Sequence, residues 1–558
     1  MSLLLKEDDD ICGIMLPNSK CIKITQYADD TCVYLKDFNQ IPKCIAAINR
    51  FSQVSGLKLN IEKTEGLCLG TLQNTNNQTY NIKWPKEPIR YLGIYIGNDT
   101  NQCNHKNWTT KLEKTQKLID SWHTRKLTLY GKVLIIKSLV LPKIVYSASL
   151  LPCLDGSIKT LNKMLFQFIW GNRDRLKRNV MINTYQNGGL QMLDVESHFM
   201  ALKAAWIPRI YGKSDDIWRT LPRYYIDKAT CGLLPKMSAS SLDELPHLTI
   251  LPDFYKEVII GYTKSKCPPN IESKIDLFNQ VLWGNRHLKA NGKCLFSKSF
   301  INAKIYCVSD ILNQDGTINE NVYHALKDKH NYFKIMSLIQ ISLRPYKLFR
   351  FHRDSALTNK PTPTTIKDTK CKHFYSELVK QKRKRNTYIN KWSQMFNVEL
   401  TFPVLYENKL KHNFEIKITD FNFKLINGLL ATGQNLFKWK KRQSGNCIYC
   451  DCNHHDEHHL LYACPDTHMI WKHLSNILKV NLDFLKIVTG ISIDTNDSQI
   501  VSLLCFLIYK KFFRDINNNN IIPLNVYIKK ELQICLHIYR NLETSSSVNI
   551  IKSLIDLL

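Results

Sequence analysis

Residues 23–35 read Lys-Ile-Thr-Gln-Tyr-Ala-Asp-Asp-Thr-Cys-Val-Tyr-Leu. Two strand-like runs, 21–27 and 31–35, flank a tight acidic turn. A hairpin of this kind brings two adjacent carboxylates, Asp29 and Asp30, to one exposed strand end. Hard divalent cations seek such oxygens, and Mg²⁺ takes one or two carboxylates plus substrate phosphates. Two-metal phosphoryl transfer holds its ions about 4 Å apart between carboxylates. A plain surface turn is the competing reading, because Asp is a common turn residue.

Working outward, residues 40–52 have helical spacing, with Ile41, Cys44, Ile45, Ile48 and Phe51 on one face, and Gly56 ends the run. Residues 57–59 and 66–70 then read as extended, and 90–97 (RYLGIYIG) as a second hairpin. From about 105 the pattern turns helical, through 108–124, 130–150, 161–170 and 197–211. Residues 215–355 mix short helices with loops. A Pro/Thr-rich stretch at 359–366 reads as a linker, and a basic run, KQKRKR, occupies 380–385. Helical pattern resumes to 440 and again after a Cys/His cluster at 447–464, with the asparagine tract 517–520 as a local loop.

The chain has 558 residues, 77 Lys and Arg against 48 Asp and Glu, and a net charge of +29. An apolar fraction of 44% supports folded cores rather than disorder. So large a positive excess points to a phosphate backbone as partner, since each neutralised phosphate releases condensed cations. The N-terminus turns acidic after four apolar residues, unlike a secretion signal. No apolar run approaches the roughly 20 residues that cross a bilayer. The 18 cysteines are therefore expected to be reduced. The expected location is nucleus or cytoplasm, with no membrane partner.

The order of motifs resembles the reverse transcriptases of LINE-type (non-LTR) retrotransposons. Tyr27-Ala28-Asp29-Asp30 matches that family's catalytic palm hairpin. The resemblance implies Asp29 as Mg²⁺ ligand, Asp30 as supporting carboxylate, and Tyr27 lining the primer-nucleotide site. Residues 55–60 (SGLKLN) with 62–65 (EKTE) resemble the next polymerase motif, whose lysine lies near the incoming nucleotide. Lys63 is the candidate, where a cation can protonate or neutralise the leaving pyrophosphate. A solvated surface lysine is the alternative. Tyr91-Leu92-Gly93 resembles the primer-grip hairpin, and equally an ordinary strand with a glycine bulge.

Residues 122–146 resemble the family's thumb helices, with Arg125, Lys126, Lys132, Lys137 and Lys143 set in an apolar run. A thumb tracks the duplex backbone by electrostatics. The Phe168-Ile169-Trp170-Gly171 and Leu282-Trp283-Gly284-Asn285 segments also match, and read as structural.

Cys447, Cys450, His459 and Cys464 form C-x2-C-x8-H-x4-C. Zn²⁺ prefers four thiolate or imidazole ligands in a tetrahedron, and Cys-x2-Cys lets two sulfurs share one metal. The family carries a similar module near its C-terminus. Cys452, His454, His455 and His458 crowd the same loop and remain alternative ligands. The basic flank Lys438, Lys440, Lys441 and Arg442 can meet RNA. The run at 380–385 reads as an import signal, a phosphate patch or a solvated helix face.

The expected class is α+β. Residues 1–100 form a partial palm of antiparallel strands plus helix, 101–215 a thumb-like helical domain, and 216–358 a mixed connecting region. Residues 359–440 follow as basic linker and helices, 441–475 as the zinc module, and 476–558 as C-terminal helices. The family's metal site uses a further aspartate on an earlier strand, and only 26 residues precede Tyr27. The expectation is therefore a reverse transcriptase portion that does not polymerise by itself. Its partners are RNA template and DNA primer or target. A non-catalytic nucleic-acid-binding and zinc-binding remnant is the rival reading.

Overall fold

The computed structural model describes every residue except 74, 76–78, 172, 215, 235–236, 240–244, 246–247, 249–250, 267–269, 314, 328, 330, 347–368, 451, 517–520 and 540–544. The linker read at 359–366 and the asparagine tract 517–520 lie outside the described residues. The chain mixes helices with short antiparallel hairpins, in keeping with an α+β class. It divides into two compact units, and two of the boundaries, after Lys117 and after Leu161, fall inside helices. One holds residues 1–117, 142–161 and 194–381; the other holds 118–141, 162–193 and 382–558. No single described helix is long and apolar enough to cross a membrane.

The first unit opens with helix α1 (Ser2–Glu7) and strands β1 (Ile14–Met15), β2 (Cys21–Ile22), β3 (Ile24–Tyr27) and β4 (Asp30–Val33). β3 and β4 pair antiparallel from Ile24↔Val33 to Tyr27↔Asp30. Helix α2 (Ile41–Ser55) follows, with Pro42 in its first turn, where the absent N–H costs nothing. Gly56 stops it at φ 74, its N–H donating to Ser52 O, the left-handed cap that glycine adopts without penalty. A small core of Leu5, Ile11, Ile24, Cys44 and Ala47 joins α1, β3 and α2. Along β3 only Ile24 is buried, while Thr25, Gln26 and Tyr27 are exposed. The runs at 57–59 and 66–69 lie outside strands.

Strands β5 (Ile89–Tyr91) and β6 (Ile94–Ile96) form the second hairpin, and helix α3 (Thr100–His123) follows. Asn107 on α3 completes the open edge of β6. Its Oδ1 accepts from Tyr95 N–H and its Nδ2 donates to Tyr95 O, both at 2.9 Å.

The same unit holds a large core built from helices Val195–Ala204, Asp253–Ser265 and Cys371–Lys380. The Leu282-Trp283-Gly284-Asn285 segment sits inside it. Trp283 is fully buried and donates from Nε1 to Ile305 O at 2.7 Å. Asn285 donates to Gln280 Oε1 at 2.8 Å. Short hairpin β7 (Lys289–Ala290) and β8 (Lys293–Cys294) follows. Weak periodicity at 215–355 thus hides a real core made of short elements.

The second unit is helical. Helix Leu129–Ile135 is capped by Thr128, whose Oγ1 accepts from Gly131 N–H at 3.0 Å. Asp420 on helix Ile416–Ile426 accepts from Leu129 N–H at 2.7 Å. Lys132 is half-buried, donates to Ile169 O at 3.0 Å and sits 5.6 Å from the Phe168 ring centre. It is therefore spent inside the fold, whereas Lys126 and Lys137 are exposed. The long helix Thr495–Asp515 packs with Leu524–Tyr539 and Ser545–Leu557.

Candidate functional site

The Asp-Asp hairpin is a bare one. Ala28 turns the chain at φ 53, a left-handed conformation that a side chain adopts at a cost. Tyr27 is 70% exposed, and Asp29 and Asp30 are exposed beside it. Among the described residues neither carboxylate has an ion pair or hydrogen bond. Nothing in the local fold neutralises them, so an incoming cation would meet both charges unshielded. Nor does a third carboxylate join them: the one cluster of three or more metal-capable side chains among the described residues lies elsewhere. Two adjacent exposed carboxylates are a donor set that a hard divalent cation can use.

Lys63 ends a short 3₁₀ turn, Ile61–Lys63, capped by Asn60, whose Oδ1 accepts from Lys63 N–H at 3.1 Å. Its side chain is exposed, and no described contact ties it to Asp29 or Asp30.

Tyr91-Leu92-Gly93 makes a two-residue turn, with Leu92 at φ 45 and Gly93 at φ 80. Two successive positive φ values match the twist of a tight hairpin, and only Gly93 takes that conformation freely. Tyr146 Oη donates to Leu92 O at 2.8 Å and so pins the turn. The geometry is a hairpin tip, with no bulge.

The Cys/His cluster differs in kind. One ligand atom from each of Cys447, Cys450, His459 and Cys464 lies within 4.8 Å of the others. Cys450 Sγ and His459 Nε2 are 3.3 Å apart. Ligands around a tetrahedral zinc stand roughly 3.8 Å from one another, so the donor set fits that ion. The Cys464 thiol shares a hydrogen bond with Cys447, which pulls the Cys447 thiol far below its ordinary range and lifts that of Cys464. Cysteine binds a metal as the thiolate.

The fold places each donor. His459 and Leu460 open a π-helical turn, His459–Ala463, whose start is held by Asp456 Oδ1 accepting from His459 N–H at 2.9 Å. Cys464 caps helix Pro465–Leu478, with Pro at its first position. Trp471 on that helix is buried and donates from Nε1 to Leu461 O at 2.6 Å.

The alternative ligands stand outside the four-donor cluster, and the buried Nε2 of His455 has no hydrogen-bond partner among the described residues. His455 is fully buried, accepts from Gly433 N–H at 3.0 Å and stacks 4.4 Å from Phe512. Its contact with Cys447 helps keep that thiol low. His454 pairs with Gln434, Cys452 points to His454 O, and His458 packs on Phe484.

Sequence reading missed the brace behind the Cys-x2-Cys loop. Tyr449 Oη donates to Asp515 Oδ2 at 2.8 Å. Asp515 also pairs with Lys511, both nearly fully buried, and the Lys511 ammonium lies 4.5 Å from the Tyr449 ring centre. Burial, then the Asp515 contact, pushes the Tyr449 phenol up, so it stays a donor. The available signal was an i,i+4 Lys/Asp pair at the end of a helical run, 503–515, that is apolar up to Tyr509.

Residues 11–96, which contain both hairpins, match the family described as reverse transcriptase (RNA-dependent DNA polymerase). Over 258 residues, 45% of the chain, it is 21% identical to a Xenopus laevis protein described as "Transposon TX1 uncharacterized 149 kDa protein". That match spans 20% of the frog protein's length. Together the two likenesses bear out the resemblance to LINE-type (non-LTR) retrotransposon reverse transcriptases.

Proposed function

We propose that this chain is part of an RNA-directed DNA polymerase of a non-LTR retrotransposon and that it does not extend primers on its own. The observation that carries the first half is the Tyr27-Ala28-Asp29-Asp30 hairpin inside the matched segment. Its paired, unneutralised carboxylates suit Mg²⁺ and the phosphates of a nucleotide. In this reading Asp29 and Asp30 hold the ion, Tyr27 flanks the primer end, and Lys63 meets the leaving pyrophosphate. The Tyr91-Leu92-Gly93 tip, braced by Tyr146, grips the primer. RNA template and DNA primer or target are the partners, drawn by the positive excess.

The second half rests on the missing third carboxylate among the described residues. A two-metal centre holds its ions between carboxylates, and no third one joins this pair among the described residues. The chain alone is then a nucleic-acid binder, with zinc on Cys447, Cys450, His459 and Cys464 supplying structural cross-linking. Primer extension on an RNA template with Mg²⁺ tests this. No extension is expected. Synthesis by the unaltered chain that disappears in Asp29→Asn would overturn the inactivity. Failure to bind template–primer at all would overturn the wider reading.

A further inference from the structure

The basic run at 380–385 is not a helix face. Helix Cys371–Lys380 ends at its first residue, and 383–387 run without regular structure into helix Ile389–Phe396. This segment is fastened by its backbone. Lys384 N–H donates to Asn179 O at 3.3 Å, and Lys384 O accepts from Asn183 Nδ2 at 2.8 Å. Asn386, 3% exposed, donates to Gly188 O and to Asn427 Oδ1 and anchors the far end. With the main chain committed inward, Arg383, Lys384 and Arg385 stand exposed. Among the described residues none of the three has an ion pair. They line an open pocket of about 310 Å³ together with Asn183, Asn187 and an apolar wall that includes Ile389 and Phe402. No carboxylate lines it.

Three unneutralised cations around a concave surface ask for a polyanion. The pocket is at the small end of ligand-site volumes, room for one unpaired nucleotide. A duplex keeps its bases stacked inside and cannot offer one, whereas a single strand offers phosphates and bases together. An import receptor would need the run as a free peptide, and this backbone is not free.

We propose that Arg383, Lys384 and Arg385, with the pocket they border, form a binding site for single-stranded nucleic acid. The phosphates would pair with the two guanidinium forks and the ammonium, and one base would enter against the apolar wall. The proposal rests on the reading of the chain as a nucleic-acid binder and adds to it a location and a strand form.

The test uses the full chain and a fluorescently labelled single-stranded RNA of about 12 nucleotides, a length within the usual site sizes, followed by anisotropy over a salt series. The variant R383A/K384A/R385A removes exposed side chains and keeps the Asn183 and Asn386 anchors. It is expected to bind roughly tenfold or more weakly, with a salt slope smaller by about 2, three contacts at ~0.7 each. A control variant, K417A/K530A/K552A, removes the same charge from exposed sites in the same unit and is expected to bind as the unaltered chain does. Equal binding and slope in the triple variant would overturn the site while leaving the wider reading intact. So would a duplex of the same length competing as well as the single strand, or equal weakening in the control. No binding by the unaltered chain would overturn the wider reading itself.

Discussion

The Asp-Asp hairpin and the Cys/His module both gather acidic or thiol donors, yet they are built in opposite ways. The hairpin is a two-residue turn on a small core, and its donors face water without partners. The module sets its four donors from a loop, a π-helical turn and a helix cap, then braces them with buried Trp471, His455 and the Lys511–Asp515 pair. Local geometry alone makes the first, so it can exist without its ion and waits for ligands from outside. Tertiary packing makes the second, so loop, turn and helices are expected to stand or fall together with any zinc their donors hold. The contrast predicts large effects on stability at one site and almost none at the other.

The largest effect is expected on removing a thiol. Cys464→Ala should abolish stoichiometric zinc and unfold residues around 440–475, because binding a structural zinc supplies on the order of 10 kcal/mol in small folds. Metal analysis with thermal melting, with and without chelator, checks this. A variant that melts like the parent would break the comparison, since the module would then be a packed cysteine cluster with no ion.

Next comes the brace. Asp515→Ala leaves the Lys511 ammonium buried without its carboxylate and frees Tyr449. One-sided removal of a buried pair costs about 3–5 kcal/mol. Denaturant unfolding should report that loss, and zinc affinity should fall with it because the Cys-x2-Cys loop loses its anchor. A stability loss without any change in zinc affinity would sharpen the comparison by separating the brace from the site.

A smaller effect of opposite sign is expected at Lys409. It is fully buried on the π-helical turn Tyr406–Leu410, has no hydrogen-bond partner among the described residues, and burial pushes its ammonium down to about 8. The unfolded chain holds that proton up to about 10.4. Between these values the unfolded state binds more protons, so stability should rise with pH from about 8 to about 10.4. Below 8 the charged form is buried at a steady cost. Lys409→Met should gain up to about 3 kcal/mol at neutral pH and lose the rise. Parallel pH curves for parent and variant would refute it.

How much of this was readable beforehand follows the same divide. The two hairpins, helix α2 and its Gly56 stop were legible because alternation, spacing and turn chemistry are local. The four donors that gather were legible from their spacing, and so was the basic run as a run. The Lys511–Asp515 pair left a local i,i+4 signal, but its union with Tyr449 did not, because Tyr449 and Asp515 are 66 positions apart. Lys132 reads as a surface cation in an amphipathic pattern, yet it turns inward to Ile169 O. The Leu282–Asn285 segment was legible as structural, but the extent of the core around Trp283 was not, because the helices next to it are only four or five residues long. Sequence periodicity records which face of one element is buried, not which distant side chain meets it.

Asp29→Asn is expected to do least to the fold and so gives the finest test of the comparison. An exposed carboxylate with no ion pair or hydrogen bond contributes only its repulsion from Asp30, and such surface changes fall within about 0.5 kcal/mol. Asparagine also tolerates the turn at least as well as aspartate. Denaturant midpoints for parent and variant should therefore coincide in metal-free buffer. Adding Mg²⁺ should stabilise the parent slightly more than the variant, since only a ligand that binds the folded form shifts unfolding, and by an amount set by its affinity. A loss above about 2 kcal/mol without metal would mean that Asp29 is held by the fold. In that case the hairpin would be a packed site like the Cys/His module rather than an open one.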